Sequence, residues 1–291
     1  MKIIANPRAG HGKGERNIQA LRDAIRRRGL DAELVLTERP GHATEIARAL
    51  AGSEHRVGVL GGDGTIGEVA EALVGTGTEL AILSVGTGND IARSLGLPLN
   101  DLDTALGVAF DGRVAEIDVG RERDRHFVSV LGLGFPAIVA DHANHTRLQG
   151  PAAFFVAFYR ALSRLEPVPL VIRLDDIKLE GDFVAVMVQN TPFTGGGLHM
   201  APGAKVDDGL LDVVVVNGIR KLDLMVSFPK VYRGRHLTHH SFGLYRTRSV
   251  RIETQSPLPK MFDGDLCGSS PVEATVVPRA LKVVVPGHKD D

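Results

Sequence analysis

Apolar and polar positions follow two different rhythms along the chain, and the change falls near residue 113. Before it, short apolar runs are each followed by a stretch with helical spacing. The pattern predicts strands over 2–6, 33–37, 56–60 and 79–85. Between and after them it predicts helices over 15–28, 43–51, 65–74 and 89–95. Gly29 ends the first helix, and Ile46, Ala47 and Leu50 share one face of the second. Such alternation implies an α/β domain, a parallel sheet with helices on both faces, which binds ligands at the loops following its strands.

After residue 113 short strand-like runs dominate, at 114–119, 126–131, 168–174, 183–189, 211–216, 250–253, 272–277 and 281–285. Turn residues such as Asp207-Asp208-Gly209 and Asn217-Gly218 separate them. The expectation is a mostly antiparallel sandwich or barrel, interrupted by one helix over 151–165 and closed by a frayed tail from Gly287 to Asp291.

The 291 residues suffice for two ordinary domains. A net charge of -1 gives no basic excess of the kind that nucleic acid attracts. The single cysteine, Cys267, has no internal partner and fits a reducing, cytoplasmic setting. Pro7 interrupts the start too early for a signal peptide, and the apolar stretch at 152–158 is far short of the ~20 residues of a spanning helix. Any membrane association is therefore expected to be peripheral and transient.

The chemistry concentrates in glycine-rich turns. Gly61-Gly62-Asp63-Gly64-Thr65 follows an apolar strand and opens a helix. Glycines there let backbone N–H groups approach phosphate, and the helix start adds the positive end of a dipole. A carboxylate beside phosphates needs a metal ion or its water between them. The same residues also make an ordinary turn with Asp63 as a helix cap. Val85-Gly86-Thr87-Gly88-Asn89-Asp90 is a second such turn, in which Asp90 holds a metal or caps the helix. A third spans Asn6 to Gly14. Together the three point to a phosphate cradle, where one alone would not.

Two apparent motifs fail. Gly12-Lys13 is followed by Gly14 rather than Ser or Thr, so the first turn is no P-loop. Gly132-Leu133-Gly134-Phe135-Pro136-Ala137 mimics a dinucleotide fingerprint, but Pro136 interrupts it and no acid stands between Asp141 and Glu166 to hold a ribose.

The ordered set resembles a known family. Its pieces are Asn6-Pro7-Arg8-Ala9-Gly10, Gly61 to Thr65 with Glu68, and Gly86-Thr87-Gly88-Asn89-Asp90-Ile91-Ala92-Arg93. Further on come Gly195-Gly196-Gly197, Ala201-Pro202 with Lys205-Val206-Asp207-Asp208-Gly209-Leu210-Leu211-Asp212, and Asp263-Gly264-Asp265. Nearly end to end, the chain is similar to the diacylglycerol kinase catalytic family of soluble bacterial lipid kinases, relatives of sphingosine and ceramide kinases. The Gly-Gly-Asp-Gly turn alone also occurs in NAD kinases and phosphofructokinases.

The resemblance implies a Rossmann-like, NAD-kinase/phosphofructokinase-like nucleotide-binding domain over 1–122 and a β-sandwich domain over 123–279, with a final strand in 280–291 returning to the first. It implies ATP between the domains, on Asn6, Pro7, Arg8, Ala9, Gly10, Thr37, Gly62, Asp63, Gly64, Thr65, Ile66, Gly67, Glu68, Thr87 and Asn89. Asp63 and Asp90 would organise magnesium and water, and Asp118 is an acid near the nucleotide. A second Mg2+ is implied at the Lys205 and Leu210 carbonyls and the Asp208 carboxylate, although the residues alone read as a hairpin turn. In the Asp263-Gly264-Asp265 turn one acid would accept the lipid hydroxyl's proton and the other support the nucleotide. Asp263 is the favoured base and Asp265 the alternative. Asp265 stands where the family usually has Glu, one methylene longer, and Pro136 where it usually has a polar residue.

The implied reaction is ATP-dependent phosphorylation of diacylglycerol. Alternatives are another lipid acceptor (a sphingoid base or phosphatidylglycerol), NAD phosphorylation, and a non-catalytic nucleotide- or lipid-binding regulator. The helix at 151–165 mixes bulky apolar and basic residues and follows His142, His145 and Arg147, so it is a candidate lid or membrane-facing element. His236, His239 and His240 read as a solvated loop. Paired sheet edges in the second domain would make a homodimer.

Overall fold

The computed structural model describes residues 1–10, 12–146, 148 and 151–287. Arg147 and the tail from His288 to Asp291 lie outside the described residues. The chain divides into two compact units, residues 1–117 with 279–291 and residues 118–278.

The first unit contains β1 (Lys2–Ala5), α1 (Gly14–Arg28), β2 (Glu33–Leu36), α2 (His42–Leu50), β3 (Arg56–Gly61), α3 (Asp63–Leu73), β4 (Glu79–Ser84), α4 (Asp90–Ser94) and α5 (Leu102–Asp111). β5 (Arg113–Glu122) carries the chain into the second unit. Helix α1 forms where expected because Ile18, Leu21, Ala24 and Ile25 recur on one face. Gly29, in the left-handed region at φ 61°, ends it. Helix α5 was not expected. Its Ala105, Leu106 and Ala109 make a short apolar face, and Asp101 caps it by accepting from the Thr104 N–H. The strands β1, β2, β3 and β4 pair in parallel, around a core of Ile3, Leu21, Leu60, Leu83 and Leu106.

The second unit contains β6 (Arg125–Phe127), β7 (Val130–Gly134), α6 (Phe135–Asn144), α7 (Pro151–Ala161), β8 (Val168–Leu174), β9 (Lys178–Gln189), β10 (Phe193–Thr194), β11 (Leu198–His199), β12 (Leu211–Asn217), α8 (Lys221–Val231), β13 (Phe242–Thr247), β14 (Ser249–Thr254), β15 (Pro259–Phe262) and β16 (Asp265–Ser269). β17 (Val272–Val285) leads back to the first unit. Strand pairs within this unit are antiparallel, and β9 is central, bonding to β7, β8 and β12. The mixed α/β first unit and antiparallel second unit agree with the expected fold class.

Three expectations need correction. The second unit has three described α-helices rather than one helix; α6 starts inside the false fingerprint, with Pro136 in its first turn where a proline costs no hydrogen bond. The run at 126–131 is broken at Val128-Ser129, whose N–H groups bond a side chain instead of a strand. The runs at 272–277 and 281–285 are one strand, in which Val272 to Thr275 pair with β14 and Lys282 and Val283 with β4. Pro278 lies between these two paired stretches and is exposed.

Candidate active site

Because β1 to β4 are parallel and in register, Asn6, Thr37, Gly62 and Gly86 follow their C-terminal ends along one edge. Asn6 anchors the first turn. Its N–H donates to the Leu60 carbonyl (3.1 Å), its Nδ2 to Thr65 Oγ1 (2.8 Å), and its Oδ1 accepts from the Arg8 N–H (2.8 Å). Ala9 is buried, Gly10 is left-handed at φ 70°, and a side chain at Gly14 would run into the Pro7 carbonyl. His11 lies outside the described residues.

The next two turns touch. A Cβ on Gly86 would stand 2.8 Å from the Gly62 Cα and 2.8 Å from Asn89 Oδ1, closer than real Cβ contacts come. Asp63 joins them from the other side, its Oδ1 accepting from the Ile91 N–H at 3.2 Å, at the start of α4. Burial pushes the Asp63 carboxyl above its usual range, opposed by hydrogen bonds from the backbone of Ile91, Asn89 and Asp90. Asp90 is itself buried at the first position of α4.

Other expected nucleotide residues divide by exposure. Gly64 and Thr87 are exposed, while Thr37 and Gly67 are half-buried. Glu68 accepts from the Gly41 N–H (3.2 Å), which steadies the start of α2. Ile66 and Asn89 turn inward. Ile66 is a fully buried core side chain, and Asn89, at φ 54°, accepts from Ser84 Oγ at 2.6 Å. Their side chains support the turns from within.

In the second unit Asp118 is buried on β5 beside the 205–210 turn. Its N–H donates to the Val206 carbonyl (2.6 Å) and its Oδ2 accepts from the Gly209 N–H (2.7 Å). Asp208 Oδ1 accepts from the Leu210 N–H at 3.2 Å, which holds this carboxylate over the turn that carries the Lys205 and Leu210 carbonyls. Arg246 reaches Asp212 Oδ1 at 3.2 Å and donates to the Gly203 carbonyl at 2.6 Å. Burial raises the Asp212 carboxyl, and Arg246 offsets part of that.

The Asp263-Gly264-Asp265 turn joins β15 to β16 and gives its two acids different surroundings. Asp263, left-handed at φ 48°, accepts three backbone hydrogen bonds. Val128 donates to Oδ2 at 2.9 Å, and Ser129 and Val130 donate to Oδ1 at 2.8 Å each. Asp265 has an exposed side chain, yet the loss of water around its carboxyl raises it, with Arg125 pulling the other way. Arg125 sits 5.0 Å over the Phe262 ring, so its charge is held beside this turn.

Several supports were not foreseen. Asn190, fully buried, donates through Nδ2 to the carbonyls of both Asp118 and Val128 at 2.9 Å, tying the Asp118 strand to the segment that holds Asp263. Ser129 and Thr191 hydroxyls pair at 2.8 Å beside it. The polar trio Gln189-Asn190-Thr191 at the end of an apolar strand was the signal available in the sequence. Lys260 and Glu122, both nearly inaccessible, form an ion pair at 3.0 Å. His236 corrects the solvated-loop reading. It is fully buried, its Nε2 bonds the Met200 carbonyl at 3.0 Å, and burial brings its pKa down to about 4. Among the described residues no cluster of three His, Cys, Asp or Glu side chains is arranged to hold a metal, and no helix is long and apolar enough to cross a membrane.

Comparison with known proteins follows the same two-part division. Residues 1–121 match the model of the diacylglycerol kinase catalytic domain, and residues 129–285 match the YegS C-terminal NAD kinase beta sandwich-like domain. A diacylglycerol kinase of Mycobacterium tuberculosis is 32% identical over 293 residues, covering 98% of this chain and 94% of that protein. The diacylglycerol kinase of Bacillus subtilis is 25% identical, over 99% of this chain and 97% of its own length. A crystal structure of a diacylglycerol kinase from Bacillus anthracis superimposes with a TM-score of 0.75 at 25% identity, covering 98% of this chain and 96% of that one. With both of its parts matched in order and a relative this similar along its whole length, the chain belongs to the diacylglycerol kinase catalytic-domain family of lipid kinases.

Proposed function

We propose that this protein transfers the γ-phosphoryl group of ATP to the free hydroxyl of diacylglycerol, giving phosphatidic acid and ADP. The observation that carries the mechanistic part is the division of labour at the Asp263-Gly264-Asp265 turn. Asp263 spends both carboxylate oxygens on the Val128, Ser129 and Val130 N–H groups, which makes it a poor proton acceptor and a good anchor. Asp265 lies at an exposed position, is not tied to those N–H groups, and has its carboxyl raised by desolvation, with Arg125 pulling the other way. The base assignment therefore moves from Asp263 to Asp265. Its proton comes from the lipid hydroxyl, whose oxygen forms the new bond to phosphorus as the bond to ADP breaks.

ATP belongs on the strand-end edge of the first unit. Gly62 and Gly86 approach each other with no side chain at either position, as close approach of phosphate to backbone requires. Thr87 and Gly64, both exposed there, face solvent and a ligand alike. Asp63, at the start of α3 and bonded to the Ile91 N–H, and Asp90, at the start of α4, are the acids suited to a magnesium ion through water, and Asp208 with the Lys205 and Leu210 carbonyls offers a second set of oxygen ligands. Bound Mg2+ would neutralise charge on the phosphates during transfer.

The test is incubation of the purified protein with γ-labelled ATP and magnesium against diacylglycerol in mixed micelles, phosphatidylglycerol, sphingosine and NAD. Label in diacylglycerol supports the proposal. Label in another lipid keeps the chemistry and changes the acceptor, label in NAD alone overturns the lipid acceptor, and no label with ATP still bound points to a regulator.

A further inference from the structure

Helix α8 is apolar on two opposite faces. Leu224, Phe228 and Val231 are buried in the core of the second unit. Leu222 and Val226, one turn apart on the far side, are 71% and 66% exposed, the highest values among the exposed large hydrophobic side chains. Pro229 and Arg233 continue the same exposed stripe.

Helix α7 runs antiparallel beside it. Phe155 lies 6.2 Å from Phe228 between ring centres, Tyr159 donates to the Met225 carbonyl at 3.4 Å, and Lys221 reaches the Ser163 carbonyl at 3.4 Å. The buried side of α7, with Ala157, Phe158 and Ala161, is used in the core, so α7 adds mainly Phe155, 43% exposed, to the outer surface. Among the large apolar side chains, α8 thus exposes more than α7 does.

Charge around this stripe is one-sided. Between residues 220 and 235 stand Arg220, Lys221, Lys230, Arg233 and Arg235 against one acid, Asp223, which is already paired with Arg220 at 2.8 Å. Arg160 and Arg164, next in sequence to the α7-side contact residues Tyr159 and Ser163, are exposed, as is Glu166. The whole chain carries -1, so this basic excess is local. An apolar ridge flanked by Lys and Arg is the composition that seats a helix in the headgroup layer of an anionic bilayer.

We propose that the outer face of α8 is a membrane-docking surface, with Leu222 and Val226 inserted at the boundary of an anionic leaflet and Lys221, Lys230 and Arg233 on its headgroups. This deepens the lipid-kinase reading and rests on it for its purpose, but not for its test.

The test is sedimentation of the full chain with vesicles of phosphatidylcholine, with or without phosphatidylglycerol, in the absence of ATP and diacylglycerol. Failure of phosphorylation would therefore leave this result untouched. Wild type should bind the anionic vesicles and lose binding with added salt. Leu222→Glu/Val226→Glu should bind at least roughly tenfold more weakly, since both side chains then lose their transfer into the boundary layer, and should melt at the wild-type temperature. Ile177→Glu, at an exposed apolar position outside α8, should bind like wild type. Equal binding by the double variant, equal loss in Ile177→Glu, or no binding by wild type would overturn the proposal. So would a wild-type dimer that the double variant splits, which would give this face to a second copy of the chain.

Discussion

The Asp263 carboxylate and the Ser129 backbone N–H meet at 2.8 Å across 134 residues of chain. With the neighbouring bonds from Val128 and Val130, this fixes the turn between β15 and β16 on the break between β6 and β7. Asp263→Asn replaces an acceptor oxygen with a donor facing N–H groups. The expected cost is about 1–3 kcal/mol of stability, read as a lower denaturation midpoint, accompanied by loss of activity.

Gly86 and Gly62 are in contact without room for a methyl group. Gly86→Ala should weaken ATP binding by at least roughly tenfold through displacement of the two turns, with a stability loss of about 1–3 kcal/mol. Calorimetric titration with ATP checks the first figure and thermal unfolding the second.

The Lys260–Glu122 pair is nearly inaccessible to solvent. Lys260→Met leaves the buried Glu122 carboxylate with only the exposed Arg123 guanidinium, at 3.6 Å, and should cost about 3 kcal/mol. Lys260→Met/Glu122→Gln should regain a large part of that. A double variant no more stable than the single one, in urea unfolding at neutral pH, would show that the pair does not share its energy in this way.

His236 makes stability depend on acid. In the folded chain it takes a proton only near pH 4, while in the unfolded chain it does so near 6.5. Between those values the unfolded state binds more protons, so stability is lost as pH falls through the window, by about 3 kcal/mol in full. His236→Gln can keep the hydrogen bond to the Met200 carbonyl and lacks this titration. Its stability relative to wild type should therefore improve from pH 7 to pH 4 in parallel unfolding curves.

Periodicity and turn chemistry made much of the fold legible. Ile18, Leu21 and Ile25 with Gly29 define α1, and the strand over 168–174 appears with the limits read from its pattern. Helix α5 escaped because its apolar face is small and its start relies on a single Asp101 cap. Helices α6 and α8 also escaped; each carries a proline, Pro136 in the first turn of α6 and Pro229 inside α8. The glycine turns announced their chemistry through spacing. The roles of Asp63, Asn190 and Asp263 did not, since each is set by a partner far along the chain: Ile91, the Asp118 carbonyl and Ser129. The inward turn of Asn89 depends on its left-handed φ, which no motif encodes.

The most direct measurement is label transfer from γ-labelled ATP to diacylglycerol by wild type and by Asp265→Asn. Removal of the proton acceptor should lower kcat by roughly 10²- to 10⁴-fold, with the thermal midpoint unchanged because Asp265 is exposed. Transfer by Asp265→Asn at nearly the wild-type rate, or no transfer to diacylglycerol by wild type, would contradict the account.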